Sequence, residues 1–197
     1  MIHFSIFIVI ISESVFASGA YDKGTATGKG RFEISLTINP LDLIPYGQNY
    51  GILSYGVSNK VDIVAYYSKH NNGTRSQYIG GLFQFINSKK IDLATAIGIR
   101  NIDNQRWDVF FPQLLYNYKL PYGFSIGGSI VKVVEKNNVI VDKGNAIDIS
   151  VYVPLKNIVK QNSRIKEAYF AIGTFKNTKT SFLDDKPYIH YSLDIIF

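Results

Sequence analysis

The sequence has no cysteine, one methionine and one tryptophan. Without thiols there is no disulfide framework and no thiolate metal site. Long apolar runs are missing too. Beyond the first twenty residues nothing approaches the ~18 consecutive apolar residues that a membrane-crossing helix needs. Mean hydropathy is +0.03, far too low for a helical membrane protein yet high for a β protein bathed in water. Acidic residues number 15 against 21 Lys and Arg, giving a formal charge of +6. Such an excess attracts nucleic acid when it is clustered. Here the basic residues stand singly at turns, without the stripe that nucleic-acid binding requires, so nucleic acid is not an expected partner.

What is present suits pleated sheet. Fourteen Tyr and thirteen Phe accompany abundant Val and Ile, residues that fit half-buried strands. A length of 197 residues gives no reason to expect more than one domain.

Residues 4–11 form an apolar run too short to span a bilayer as a helix. Small residues follow and offer cleavage after Ala17, Gly19 or Ala20, the pattern of a secretory signal. The segment before the run has no Lys or Arg, and a buried first strand is the competing reading.

From residue 30 onward the period is two. Phe32, Ile34, Leu36 and Ile38 alternate with Arg31, Glu33, Ser35 and Thr37. The same alternation recurs around Ile63 and around Ile149, and it argues strands with one apolar face. The strands expected are 30–38, 51–57, 61–68, 78–87, 91–100, 107–119, 124–134, 146–154, 166–176 and 188–197, most of them near the ~9–11 residues a tilted strand needs to cross a bilayer. Pro112 interrupts the sixth and Lys132 breaks the parity of the seventh, so irregular register is expected there.

Connections at 58–60, 88–90 and 120–123 are short and built from turn formers. Those at 39–50, 69–77, 101–106, 135–145 and 177–187 are longer. Short turns at one end and long loops at the other are the pattern of outer-membrane barrels. The 155–165 connection breaks that rule and is expected to carry a short helical turn at Ile158 and Val159. The polar face is lightly charged and rich in small residues: Ser54, Gly56, Tyr66, Tyr78, Gly80, Gln84, Ala94, Ala96 and Gly98. A water-facing exterior would carry more Lys and Glu. The apolar face is therefore expected to point outward and the polar face into a narrow bore.

The last segment places Ile189, Tyr191, Leu193, Ile195 and Phe197 on one face and stops on an aromatic residue. It resembles the terminal assembly signal of bacterial outer-membrane β-barrel proteins. The resemblance implies a barrel whose last strand pairs with its first, with the barrel-assembly machinery and outer-membrane lipid as partners and the outer membrane of a Gram-negative-type bacterium as location. The hairpin at residues 55–63, Tyr-Gly-Val-Ser-Asn-Lys-Val-Asp-Ile, resembles those of small transporter-type outer-membrane barrels and phenol-degradation accessory proteins. Its Asn59-Lys60 departs from the Asp-Arg usual there, and it speaks for fold and not for substrate.

The fold class expected is thus all-β: a closed antiparallel up-and-down transmembrane β-barrel of about ten strands. Residues 1–20 are expected to be a cleavable signal peptide, 21–29 a flexible periplasmic lead-in, and 30–197 a single barrel domain.

Lys60, Lys89, Lys90, Lys119, Lys156, Lys160, Arg164 and Lys166 fall at the short-turn end. There they meet anionic head groups or stand as ordinary solvated turns. Just inside, on the polar parity, come Glu33, Asp62, Asp92, Glu167 and Asp194, with Arg31 nearby. This acidic collar is either a cation-selective constriction or an internal ion-pair network that plugs the bore.

Tyr188, His190 and Ser192 resemble the Tyr-x-His-x-Ser arrangement of an outer-membrane lipid A deacylase. The family's Asn after the Ser is Leu193 here, and no acid is identifiable to orient the His. Residues 24–30 echo a phosphate loop but lack its spacing, and Asn72-Gly73-Thr74 reads as a loop tip. No calcium loop or His cluster is present, so neither metal nor cofactor is expected. The function expected is a non-catalytic, porin-like but narrow passive channel, or a plugged structural and surface-contact barrel. The alternatives are an outer-membrane lipid-modifying enzyme or protease, and a secreted soluble lipocalin-like binding protein.

Overall fold

Segments that alternate β-branched or aromatic residues with small polar ones present two unlike faces to a pleated ribbon, and they pair edge to edge to satisfy their backbones. The computed structural model describes residues 23–38, 48–70, 75–102, 109–110, 113–137, 139–177 and 188–197. Its strands are β1 (Phe32–Ile38), β2 (Gln48–Gly56), β3 (Val61–His70), β4 (Arg75–Asn87), β5 (Ile91–Ile102), β6 (Val109–Phe110), β7 (Gln113–Lys119), β8 (Ser125–Asn137), β9 (Val139–Pro154), β10 (Glu167–Asn177) and β11 (Tyr188–Ile196). A short helix, α1 (Lys156–Gln161), lies between β9 and β10.

Neighbours in sequence pair antiparallel all the way round, and β1 pairs with both β2 and β11. The sheet therefore closes with no free edge. β6 and β7 both pair with β5 and β8, so they are two pieces of one stave. The result is an all-β, ten-strand, up-and-down closed barrel. The division of that stave falls between Phe110 and Gln113, the interval that contains Pro112. The register of β8 against β9 shifts between Lys132 and Val134, where the sequence parity breaks. A second shift, between Gln84 and Ile86 of β4, was not foreseen.

Several expected connections need correction. β2 begins at Gln48, β3 runs to His70, β4 begins at Arg75 and β5 runs to Ile102, so strand occupies part of the loops expected at 39–50, 69–77 and 101–106. Residues 135–145 were read as a loop, but β8 runs to Asn137 and β9 begins at Val139. The β-branched run Val139-Ile140-Val141 favours extended backbone. The 155–165 connection does carry a helical turn containing Ile158 and Val159.

The apolar side chains point out. Ile63 is 57% exposed, Ile79 54% and Ile97 53%, while Ile149 is exposed as well. Ile34 sits opposite Leu53 on one side and Ile195 on the other, so the apolar band runs unbroken across the seam between first and last strands. Toward the short-turn end the band becomes aromatic: Phe32 lies beside Tyr55, and Phe83, Phe85, Tyr118, Phe124 and Phe197 are exposed. Among the described residues no helix is long and apolar enough to cross a membrane.

Inside, Ser35, Thr37, Ser54, Asp62, Ser68, Ser76, Gln84 and Asp92 are buried. The bore is not polar throughout. Its middle is filled by Tyr50, Ile52, Val64, Tyr66, Tyr78, Leu82, Ala94, Ala96 and Leu115, with the rings of Tyr50 and Tyr66 5.4 Å apart. Arg100 is buried near this layer and its Nε donates to Ser76. Ten-stranded barrels enclose little space, and here large side chains occupy it.

Candidate functional site

The short-turn end of the bore is where charges converge. Asp62 and Asp92 are the second residues of β3 and β5, Glu33 the second of β1, and Asp194 lies near the end of β11. Alternation turns each of these side chains inward, and all four residues are at most 9% exposed. Isolated carboxylates so placed would be costly. Each has a partner, and the partner comes from an unexpected place.

Residues 23–30 are not a free lead-in. They fold back at a turn in which Gly28 (φ 93°) and Gly30 (φ 73°) take left-handed conformations open to glycine. Gly30 N donates to Gly56 O at 2.8 Å, and Gly56 N donates to Arg31 O at 3.0 Å. A Cβ on Gly56 would stand 1.9 Å from Gly28 O, so this approach needs glycine on β2. From the turn the chain enters the bore.

There it meets every member of the inner collar. Thr27 N donates to Asp62 Oδ2 at 2.8 Å and Thr27 Oγ1 to Glu33 Oε2 at 3.2 Å. Thr25 Oγ1 donates to Asp92 Oδ2 at 2.8 Å and accepts from Asn117 Nδ2 at 2.8 Å. Ala26 N donates to Gln84 Oε1 at 2.9 Å. Lys23 Nζ lies 3.2 Å from Glu33 Oε1 and 3.8 Å from Asp194 Oδ2. The same ammonium sits over the Tyr169 ring at 4.7 Å, a cation–π geometry. Burial works against its charge, but Glu33 and Asp194 more than offset that, so Lys23 is held above the usual lysine range. From the barrel wall, Ser35 Oγ donates to Asp194 Oδ1 at 2.6 Å and Lys119 Nζ reaches Asp92 Oδ1 at 2.8 Å.

The six residues expected as a collar thus divide. Glu33, Asp62, Asp92 and Asp194 form one network around residues 23–27. Arg31 and Glu167 pair with each other at 3.3 Å at the more exposed rim, where Tyr169 donates to Glu167 at 2.8 Å. Cavities of about 30 and 70 Å³ flank the inserted segment, room for a few waters. Among the described residues no three His, Cys, Asp or Glu side chains are grouped to hold a metal ion.

Sequence reasoning missed Lys23, Thr25 and Thr27. The signal was there: spaced by two, they put one polar face on an extended segment. It also missed Asp148 of β9, whose carboxylate accepts from Ser129 N at 2.9 Å and Ser129 Oγ at 2.7 Å inside the bore. Its place on the polar parity of β9 was the available clue.

The deacylase likeness places His190 and Ser192 on β11. Ser192 is buried in the bore, and His190 Nε2 lies 3.1 Å from Ser150 Oγ. Leu193 faces the other way, half-exposed on the outer surface. Of the terminal-signal residues, Tyr191 stacks on Phe170 at 6.1 Å on the exterior, beside Leu193 and Ile195. Phe197 N donates to Phe32 O at 2.8 Å, extending the last strand's pairing with the first. The side chain of Ile189 lies outside the described residues, as do residues 1–22 and the sequon at 72–74. No family model, curated protein or solved structure matches the chain.

Proposed function

We propose that this protein is an integral outer-membrane β-barrel of a Gram-negative-type bacterium, non-catalytic, with a bore plugged by its own lead-in and interior side chains. The reading rests first on the direction of the side chains. A closed sheet with Ile63, Ile79, Ile97 and Ile149 exposed and Asp62, Asp92, Asp148 and Asp194 enclosed is inverted relative to a barrel in water. Water does not tolerate an apolar belt around a whole circumference, whereas hydrocarbon favours it. An aromatic girdle at the turn end suits the membrane interface, and backbone closure removes every unpaired edge from lipid.

The plugged form is favoured over a narrow channel by the filled middle of the bore and by the pairing of the inner collar with residues 23–27. A lipocalin-like carrier would need an apolar cavity, and a lipid-modifying site on His190 and Ser192 would need those groups to face lipid. The terminal segment's likeness to outer-membrane assembly signals supports export and the barrel-assembly machinery as a partner.

Fractionation tests the reading. The protein should stay with outer membranes through carbonate and urea washes, require detergent for extraction, and migrate differently in SDS gels when boiled. Recovery in the aqueous fraction without detergent would overturn it. Lipid A spectra from cells with and without the gene should be identical.

A further inference from the structure

The barrel sorts its charges radially at the short-turn end. Glu33, Asp62, Asp92 and Asp194 are all turned inward and buried. Among the described residues, the one side-chain carboxylate on the outer rim of this end is Glu167, and Arg31 engages it. The cations do the opposite. Lys89 and Lys90 of the β4–β5 turn, Lys156 and Lys160 of α1, and Arg164 and Lys166 beyond it are all exposed. Among the described side chains the outer rim is therefore predominantly positive, although the network just inside it is acidic.

These cations stand beside amphipathic and apolar groups. Ile158 of α1 is exposed between Lys156 and Lys160, and Tyr118 and Phe124 are exposed on either side of the β7–β8 turn, where a Cβ on Gly123 would lie 3.9 Å from Lys156 Cε. Tyr122 is held at φ 64°, the one non-glycine residue with positive φ among those described, and its ring is 83% exposed. Left-handed backbone at a bulky residue costs energy. Here it carries an aromatic ring out onto the surface next to the lysines. Aromatic rings at the depth of the glycerol backbone and cations just beyond are the arrangement that an anionic interface selects.

We propose that this rim, centred on α1 and the β4–β5 and β7–β8 turns, is a docking surface for the head groups of anionic phospholipids in the leaflet it meets. The proposal rests on the membrane reading above. The ammonium and guanidinium groups pair with head-group phosphates, and the exposed rings and Ile158 sit against the upper acyl chains. The buried carboxylates are held by residues 23–27, so they do not repel the lipid.

The test is competitive lipid retention by the detergent-purified full chain, offered phosphatidylglycerol and phosphatidylcholine in equal amounts and read by native mass spectrometry. Phosphatidylglycerol should be retained about fivefold or more over phosphatidylcholine, the factor expected for even one engaged cation, and added salt should reduce the ratio. A variant carrying K89Q, K90Q, K156Q, K160Q, R164Q and K166Q should hold the two lipids equally. K69Q with R75Q, at the opposite end, should keep the preference. Equal retention by the unaltered chain, or an undiminished preference in the six-site variant, overturns the proposal. A chain that stays dispersed without detergent and retains neither lipid overturns the membrane reading itself, a distinct result.

Discussion

Ser35 of the first strand and Asp194 of the last face each other across the barrel seam, joined by a 2.6 Å hydrogen bond. Asp194 is also approached by Lys23, which reaches Glu33 on the first strand at the same time. One ammonium thus ties together the two staves whose pairing closes the barrel. Lys23→Met should leave two buried carboxylates without their cation and lower stability by roughly 3 kcal/mol, the scale for breaking an enclosed ion pair. Adding Glu33→Gln and Asp194→Asn should recover most of the loss. The temperature at which the barrel changes mobility in SDS gels measures both, and a Lys23→Met protein that melts like the unaltered one would remove the latch.

The pH dependence has a definite sign. Lys23 is held above its ordinary pKa, so its stabilisation is fully present below the unfolded value of about 10.4 and fades as pH rises past it. The stability gap between the unaltered chain and Lys23→Met should be constant from neutral pH to about pH 9 and shrink above pH 10.4. A gap that widens in alkali contradicts the assignment.

Gly56→Ala puts a methyl group where Gly28 O lies. The expected outcome is a closed barrel with residues 23–30 dislodged: trypsin should cut after Lys23 and Lys29 in the variant but not in the parent, while strand content by circular dichroism is retained. Gly51→Ala is the control, since its nearest neighbour is the flexible tip of Leu36 at 3.5 Å. Equal resistance of Gly56→Ala and parent would argue against a seated lead-in.

In planar bilayers the chain should be silent, because the Tyr50, Tyr66, Tyr78 and Leu82 layer fills the bore above the collar. Asp62→Asn and Asp92→Asn should therefore create no ion preference. Discrete cation-biased steps that change with either substitution would restore the channel reading.

Much of the architecture could be read from period and parity alone. The outward set containing Ile63 and Ile149 and the inward set containing Gln84, Ala94 and Ala96 follow from a repeat of two, which a pleated strand obeys regardless of what surrounds it. Strand ends were less legible. The Val139-Ile140-Val141 run belongs to β9 because a hairpin can project past the barrel wall, and periodicity does not register where a wall stops. The seating of Lys23, Thr25 and Thr27 lay further out of reach. It depends on four carboxylates and a glutamine from separate staves meeting in space, and on Gly56 leaving room for a turn formed before the first strand.

The position of that segment bears on the order of assembly. Lys23 is made before the first stave and Asp194 lies on the last, so half of the ammonium's counter-charge arrives only when the final strand docks. Closure is thus rewarded from within as well as along the strand edges. A wrongly registered last stave would carry its aspartate past the waiting amine, giving the molecule a check on alignment at its final step.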